Sequence, residues 1–81
     1  MEHIHIEIII GNPICVAKAF IQKDSFWDMS FSICNPKDVY NWKIGAVKAL
    51  DNLCESAGYH KSLRRELMKA LAKKYPEVFE P

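Results

Sequence analysis

Residues 26–53 read FWDMSFSICNPKDVYNWKIGAVKALDNL, and this stretch decides the fold. Polar and apolar residues alternate from Phe26 to Cys34, which predicts a β-strand with two unlike faces. The apolar positions are Trp27, Met29, Phe31 and Ile33, and the polar positions are Asp28, Ser30 and Ser32. We expect the aromatic-rich side of this strand to face the core.

The residues that follow this strand read NPKD and predict the start of a helix. Asn35 can cap the helix through its side chain, and Pro36 suits the first helical position because its missing N–H costs nothing there. Asp38 can return a hydrogen bond to the cap and favours the positive end of the helix. We expect the helix to run to Ala57 and to close at Gly58.

The predicted helix is amphipathic when its residues are placed at about 100° intervals. Its apolar side gathers Val39, Ile44, Val47, Leu50, Leu53, Cys54 and Ala57, and the opposite side gathers Asn41, Lys48, Asn52 and Glu55. Gly45 lies on the polar side, where glycine costs about 0.5–1 kcal/mol relative to alanine. Either another backbone, from a strand or a partner chain, approaches Gly45 closely, or this glycine occupies a neutral surface position.

Two strands are predicted before residue 26. Residues 3–10 alternate, which predicts a half-buried strand that ends at the turn Gly11-Asn12-Pro13. One face of this strand carries Ile4, Ile6, Ile8 and Ile10, and the other carries His3, His5, Glu7 and Ile9. Residues 13–22 are ambiguous, because Asn12-Pro13 could cap a helix there whereas the apolar and β-branched residues favour a strand. A hairpin with the first strand is the simpler outcome.

A second helix is predicted to begin with Ser62 as its cap and to run to about Tyr75, where Pro76 stops it. Its apolar stripe is Leu63, Leu67, Ala70 and Leu71. The element order is therefore β-β-β-α-α in one domain spanning residues 1–81. We predict an α+β fold, a three-stranded antiparallel meander with two helices packed on one face.

Composition excludes several classes of protein. The net charge is +1, with 11 basic and 10 acidic residues, so the overall charge favours no class of partner. Three widely spaced cysteines, Cys15, Cys34 and Cys54, do not form a disulfide framework and are typical of buried thiols in a reducing compartment. The acidic N-terminus and the absence of a long apolar run argue against a signal peptide or a membrane span. We expect a cytoplasmic protein that does not bind membranes.

No catalytic constellation is apparent, so we expect no enzymatic activity and no cofactor. The sequence has no nucleophile elbow, no glycine-rich phosphate loop and no HExxH motif. The HxHxE pattern of His3, His5 and Glu7 could place three ligands near one metal ion. The alternation itself explains these residues as a solvated strand face. We therefore predict no metal site.

Candidate partner-binding residues lie on the two helices. Trp42 falls at the border of the apolar arc of the first helix, a position at which an indole often marks a partner contact. Six of the 11 basic residues fall within residues 61–74, opposed only by Glu66. That segment could track phosphates, or it could be a solvated helix face. The predicted partner-binding residues are Trp42, Lys48, Asn52, Lys61, Arg64, Arg65 and Lys69.

Residues 30–50, SFSICNPKDVYNWKIGAVKAL, resemble a pattern common in small proteins of bacteriophages and other mobile elements. Those proteins end a strand in a Cys-x-Pro-x-Asp turn, enter a helix with an aromatic residue, and carry a glycine followed by an Ala-Leu pair. The chain departs from the pattern at Ala46 and Asp51, where those proteins often carry a basic residue. Proteins of this class that are studied are often inhibitors of host machinery, including anti-CRISPR proteins.

The resemblance implies a non-enzymatic protein that binds and blocks a host protein or nucleoprotein complex in the host cytoplasm. The alternative is a small nucleic-acid-binding protein that uses its basic C-terminal helix. A third hypothesis is an accessory protein whose exposed sheet edge pairs with a copy of itself. The sequence leaves open whether the chain is a monomer or a homodimer.

Overall fold

A computed structural model describes residues 4–21, 26–37, 39 and 41–80. Its elements are the strands β1 (Ile4–Ile9), β2 (Ile14–Ile21) and β3 (Trp27–Ile33), the helices α1 (Trp42–Ala57) and α2 (Lys61–Lys74), and a short 3₁₀ helix (Pro76–Phe79). The predicted α+β fold with the order β-β-β-α-α is confirmed. Because Ile14–Ile21 is a strand, the hairpin interpretation of this segment is also confirmed.

The three strands form an antiparallel sheet with the order β1-β2-β3. The register places Ile9 opposite Val16, and Val16 opposite Phe31. Helix α1 packs on β2 and β3, and α2 packs on β1. Both helices cover the same face of the sheet, which we call the inner face, and the opposite face is the outer face.

The core lies between the inner face and the two helices. Small residues dominate under α1, where Ala17 and Ala19 of β2 meet Ala46 and Ala49 of the helix. The other buried core residues are Ile6, Ile8, Leu50, Leu53, Cys54, Leu67, Leu71 and Val78. Small side chains let a helix lie close to a sheet at interior packing density, and this proximity determines which residues of β3 can face inward.

The prediction that the aromatic-rich side of β3 faces the core is wrong. Ser32 is buried on the inner face, whereas Trp27, Met29, Phe31 and Ile33 are exposed on the outer face. The reason is the close approach of α1, in which Ser32 Oγ donates a hydrogen bond to the Gly45 carbonyl oxygen at 2.7 Å. A large side chain at position 32 would push the helix away, so β3 turns its small polar side inward.

The predicted start of the first helix is also wrong. Helix α1 begins at Trp42, and its cap is Asn41, whose side chain accepts a hydrogen bond from the Lys43 amide at 3.0 Å. Asn35 instead accepts a hydrogen bond from the Lys37 amide at 2.9 Å, which is the geometry of a side-chain-closed turn. The predicted role of Asp38 lies outside the described residues.

Helix α1 is rotated relative to the predicted apolar arc. Ile44 is 53% exposed and Val39, before the helix, is 93% exposed, whereas Ala46 and Ala49 are fully buried. Gly45 therefore faces the sheet, and its predicted place on the polar side is wrong. A Cβ added at Gly45 would lie 2.7 Å from the Cys15 sulfur, which favours the close-approach interpretation of this glycine.

Helix α2 begins two residues earlier than predicted. His60 occupies the cap position and makes no side-chain capping bond, and Ser62 lies within the first turn. The predicted capping role of Ser62 is therefore wrong. The end of the helix at Lys74, before Pro76, agrees with the prediction. Leu67 and Leu71 of the predicted stripe are buried against the core.

Helix α1 ends at Ala57 and closes at Gly58, as predicted. Gly58 adopts the left-handed backbone conformation, with φ 69° and ψ 33°. We expect Gly58→Ala to destabilise the protein by about 1 kcal/mol, because a Cβ strains this conformation even though no atom lies within 4 Å of it. Gly58→Asn should lose less stability, since asparagine tolerates this region. Urea denaturation of the three proteins checks the order, and equal stability of the glycine and alanine forms would contradict it.

Candidate protein-binding face

The outer face of the sheet carries a contiguous apolar surface. Its apolar residues are Ile9, Ile14, Val16, Phe20, Trp27, Met29, Phe31 and Ile33. The strand register joins them, because Val16 lies between Ile9 and Phe31 on neighbouring strands. Ile14 likewise lies opposite Ile33, so the apolar residues of the three strands form one continuous patch.

Large side chains of the outer face remain open to solvent. Ile9, Ile14, Trp27, Met29, Phe31 and Ile33 are between 44% and 65% exposed. If the roughly 150–250 Å² of an aromatic side chain is taken as the upper limit for each, six large apolar side chains exposed to this degree present at most on the order of 600 Å². The largest apolar patch on a typical monomer covers about 300–600 Å², so the outer face is at the upper end of that range and is typical of an interaction surface.

The two ends of the outer face differ in chemistry. At one end Phe20 and Trp27 pack with ring centroids 5.5 Å apart, and the Lys18 ammonium group lies 5.2 Å from the Trp27 ring centroid. Strand β1 contributes the polar residues His5 and Glu7 along the margin. The patch thus has an apolar centre at Val16 and Phe31, with polar groups along β1 and near the Phe20–Trp27 end, an arrangement that resembles the apolar core and polar rim of protein interfaces.

Side chains from the helices cover the edges of the sheet. On the free edge of β1, the Ile6 carbonyl oxygen accepts a hydrogen bond from Lys74 Nζ at 2.6 Å, and the Ile8 amide donates to the Tyr75 hydroxyl at 3.3 Å. On the free edge of β3, the Phe31 carbonyl oxygen accepts a hydrogen bond from Asn52 Nδ2 at 3.0 Å. These bonds occupy backbone groups that another strand would need in order to pair. The structure therefore favours the outer face over the edges as a contact surface.

Several predicted partner-binding residues have partners within the chain. Trp42 is half-buried against the core, and Asn52 holds the edge of β3. Arg64 binds Asp51 through a salt bridge, and this hydrogen bond raises the pKa of the Arg64 guanidinium. Lys69 Nζ lies 3.4 Å from the Glu66 carboxylate. Trp42, Asn52 and Arg64 are thus engaged within the chain, which makes them poorer candidates for a partner than the outer face, whereas the exposed Lys69–Glu66 pair contributes little to stability.

The remaining predicted residues, Lys48, Lys61 and Arg65, are exposed on the helices and are not brought together with the outer face. Lys48 lines a cleft of about 350 Å³ between α1 and the end of β3, together with Cys34 and Gly45. Lys61 and Arg65 lie on α2. The structure thus places the predicted set on two separate helices.

The three cysteines differ in exposure. Cys15 and Cys54 are buried, Cys34 is half-buried, and burial raises the pKa of the Cys54 thiol. Because the thiolate is the reactive species, we expect iodoacetamide near pH 8 to alkylate Cys34 first and Cys54 only on unfolding. Peptide mass spectrometry over a time course checks this order. Equal rates for all three cysteines under native conditions would contradict it.

The predicted absence of a metal site is tested only in part, since His3 lies outside the described residues. Among the residues described, no group of three or more histidine, cysteine, aspartate or glutamate side chains could hold a metal ion. His5 and Glu7 are exposed on the margin of the outer face. Within the same part of the chain, neither helix has the length and apolar character needed to cross a membrane.

Sequence reasoning missed the outer face as a functional surface. The available signal was β2, which reads ICVAKAFI and is apolar on both of its sides. A strand that is covered on both faces shows a near-continuous apolar run, whereas a strand with one solvated face alternates. Ile9 among the polar residues of β1 pointed the same way.

Comparison with known proteins finds no matching family model, no matching curated protein and no matching solved structure. The resemblance of residues 30–50 to small mobile-element proteins therefore stays a prediction.

Proposed function

We propose that this chain is a non-enzymatic binding protein that covers a surface of another protein with its outer face. The observation that supports the proposal is the contiguous patch of half-exposed apolar side chains centred on Phe31. Burial of apolar area is the main driving force of protein association. Aromatic residues and methionine, both present in the patch, are enriched at such interfaces. The proposal assigns the protein no catalytic step and no cofactor.

The resemblance of residues 30–50 to mobile-element proteins supplies the setting of the proposal. In that setting the target is a host protein or nucleoprotein complex in the host cytoplasm, as for anti-CRISPR inhibitors. Covering a functional surface of the target blocks it without chemistry. The exposed area suits this mode of action, because two complementary patches of about 600 Å² reach the lower range of specific interfaces.

Nucleic-acid binding through α2 is the second candidate function. Lys61, Arg65 and Lys73 are exposed on this helix and could contact phosphates. However, Arg64 and Lys69 form ion pairs within the chain, and Lys74 donates to the β1 backbone. Affinity that falls steeply with rising salt would favour this candidate, and a flat salt response would oppose it.

The test is capture of partners from host lysate by tagged variants, with and without nuclease. We expect Phe31→Lys to lose a captured host protein that the wild type and the control Val39→Lys retain. Val39 is a suitable control because it is also apolar and exposed but lies outside the sheet. Retention by Phe31→Lys, combined with loss in Arg65→Glu or after nuclease treatment, would replace the outer face with α2.

A further inference from the structure

We infer that the outer faces of two copies of this chain pack against each other, giving a homodimer whose layers run helices, sheet, sheet, helices. In this assembly the second copy occupies the same surface that the proposed target would occupy. The two complexes are therefore mutually exclusive, and self-association regulates access to the outer face.

The orientation of β3 supports packing of a second sheet on the outer face. Its side chains alternate between large apolar and small polar residues, yet the large ones point away from the two helices of their own chain. A sheet with one solvated face normally turns its polar side to water. Because α1 requires small residues beneath Gly45, the apolar side of β3 is left exposed by the described part of its own chain. A second sheet would provide that cover.

The surface area that the outer face could bury also supports a dimer. Two outer faces in full contact would bury up to about 1,200 Å² in total, which is where specific and stable interfaces begin. Crystal-packing contacts usually bury less than about 800 Å². A chain of 81 residues also gains more than a large protein from such burial, since a small domain buries only about 60% of its unfolded surface by itself.

The edges of the sheet are less suited than the outer face to association of two copies. Asn52 occupies the edge of β3, and Lys74 with Tyr75 occupies the edge of β1, so these backbone groups are not open to a strand of a second copy. This opposes the hypothesis that an exposed sheet edge pairs with itself. Among the described residues, none gives the outer face such protection. Two sheets can stack about 10 Å apart with interdigitated side chains, as in β-sandwiches.

The patch is suited to a two-fold contact. In such a dimer each patch meets its own copy, so its centre must tolerate like against like. Phe31 and Val16 at the centre are uncharged and satisfy this condition. Lys18 lies on the central strand, opposite Glu7 of β1 and Met29 of β3, and its ammonium group lies over the Trp27 ring, so this pair of opposite charges lies toward the Phe20–Trp27 end of the face. They would form part of a solvated rim.

The inference rests on the proposed function in one respect, namely that both assign the outer face to protein binding. The experiment is sedimentation equilibrium of the purified full chain from micromolar to high-micromolar concentration. We expect the wild type to shift from monomer to dimer, and Phe31→Lys to weaken the dimer by at least about tenfold. Phe31→Thr, which keeps a high β-propensity, should weaken it in the same direction, and Val39→Lys should leave it unchanged.

Circular dichroism of each variant separates loss of association from loss of folding. If Phe31→Lys is unfolded, the threonine variant decides the question alone. A wild type that stays monomeric over the whole range overturns the inference, and so does a dimer that persists in both Phe31 variants.

The same variants separate this inference from the proposed function. A monomeric wild type whose target capture is lost in Phe31→Lys overturns the dimer and leaves the proposed function standing. A dimer that Phe31→Lys dissociates, with target capture unchanged, supports the dimer and overturns the outer face as the target surface. If both hold, added target should convert the dimer to a complex containing one copy of the chain.

Discussion

Replacing Leu50 with alanine is expected to lower the free energy of unfolding by about 2–5 kcal/mol. Leu50 is fully buried between α1 and the sheet, so truncation removes its apolar contacts and leaves a cavity. Natural domains are stable by only about 5–15 kcal/mol, and a chain this small lies toward the lower end. The variant should therefore be largely unfolded well below the melting temperature of the wild type.

The matched control for Leu50→Ala is Ile44→Ala on the same helix. Ile44 is 53% exposed, and alanine is the better helix former, so this change should alter stability by no more than about 0.5 kcal/mol. Urea denaturation followed by circular dichroism gives both values. The contrast tests the rotation of α1 directly, because the sequence placed both residues on the apolar arc. Equal losses for the two variants would contradict the observed rotation.

Gly45→Ala is expected to destabilise the protein by about 1–3 kcal/mol, the usual effect of overpacking a core. In an exposed helix interior the same change would stabilise by up to about 1 kcal/mol through helix propensity. At Gly45 the added Cβ would lie 2.7 Å from the Cys15 sulfur, closer than atoms can approach. The added Cβ would also lie 3.4 Å from Cys15 Cβ, so rotation of the thiol removes only part of the overlap, and we expect the overlap to outweigh the propensity.

A double-mutant cycle identifies the cause of the loss in Gly45→Ala. Cys15→Ala removes the sulfur that the new methyl group would meet, so in that background Gly45→Ala should be neutral or stabilising. The coupling between the two sites is the difference in the effect of Gly45→Ala with and without the sulfur. Chemical denaturation of the four proteins measures it. An equal loss in both backgrounds would show that Cys15 is not the obstacle.

The element order could be predicted from the sequence because it depends on local signals. The alternation of residues 4–9, the turn at Gly11 and the left-handed glycine at position 58 all act within a few residues. Which side of β3 faces inward could not be predicted in the same way. Alternation determines which residues share a face, but only packing against another element decides which face is buried.

The first turn of α1 illustrates a second limit of prediction. Asn35 and Pro36 fit the start of a helix and equally fit a turn closed by the asparagine side chain. The structure uses the turn and begins the helix six residues later, with a second asparagine, Asn41, as the cap. Two valid capping residues close together in one segment cannot be ranked without the tertiary contacts of the helix that follows.

The candidate site was harder to predict than the fold for a physical reason. A polar or charged residue on a helix can bind a group of its own chain as readily as a partner, as Arg64 does with Asp51 and Asn52 with the Phe31 carbonyl oxygen. Conversely, Met29 and Phe31 have the composition of a core and are exposed. A binding surface built from apolar residues resembles a core in the sequence, and only the inner packing of the chain distinguishes the two.

The bonds from Lys74 and Tyr75 to β1 join residues that are 68 and 67 positions apart. Such distant contacts raise the contact order of the fold, and proteins with high contact order reach the native state more slowly. The first strand obtains these edge partners only after α2 has been synthesised and has docked. Until then the edge of β1 is open and the inner face beneath α2 is uncovered, which are the features that make partly folded chains prone to aggregation.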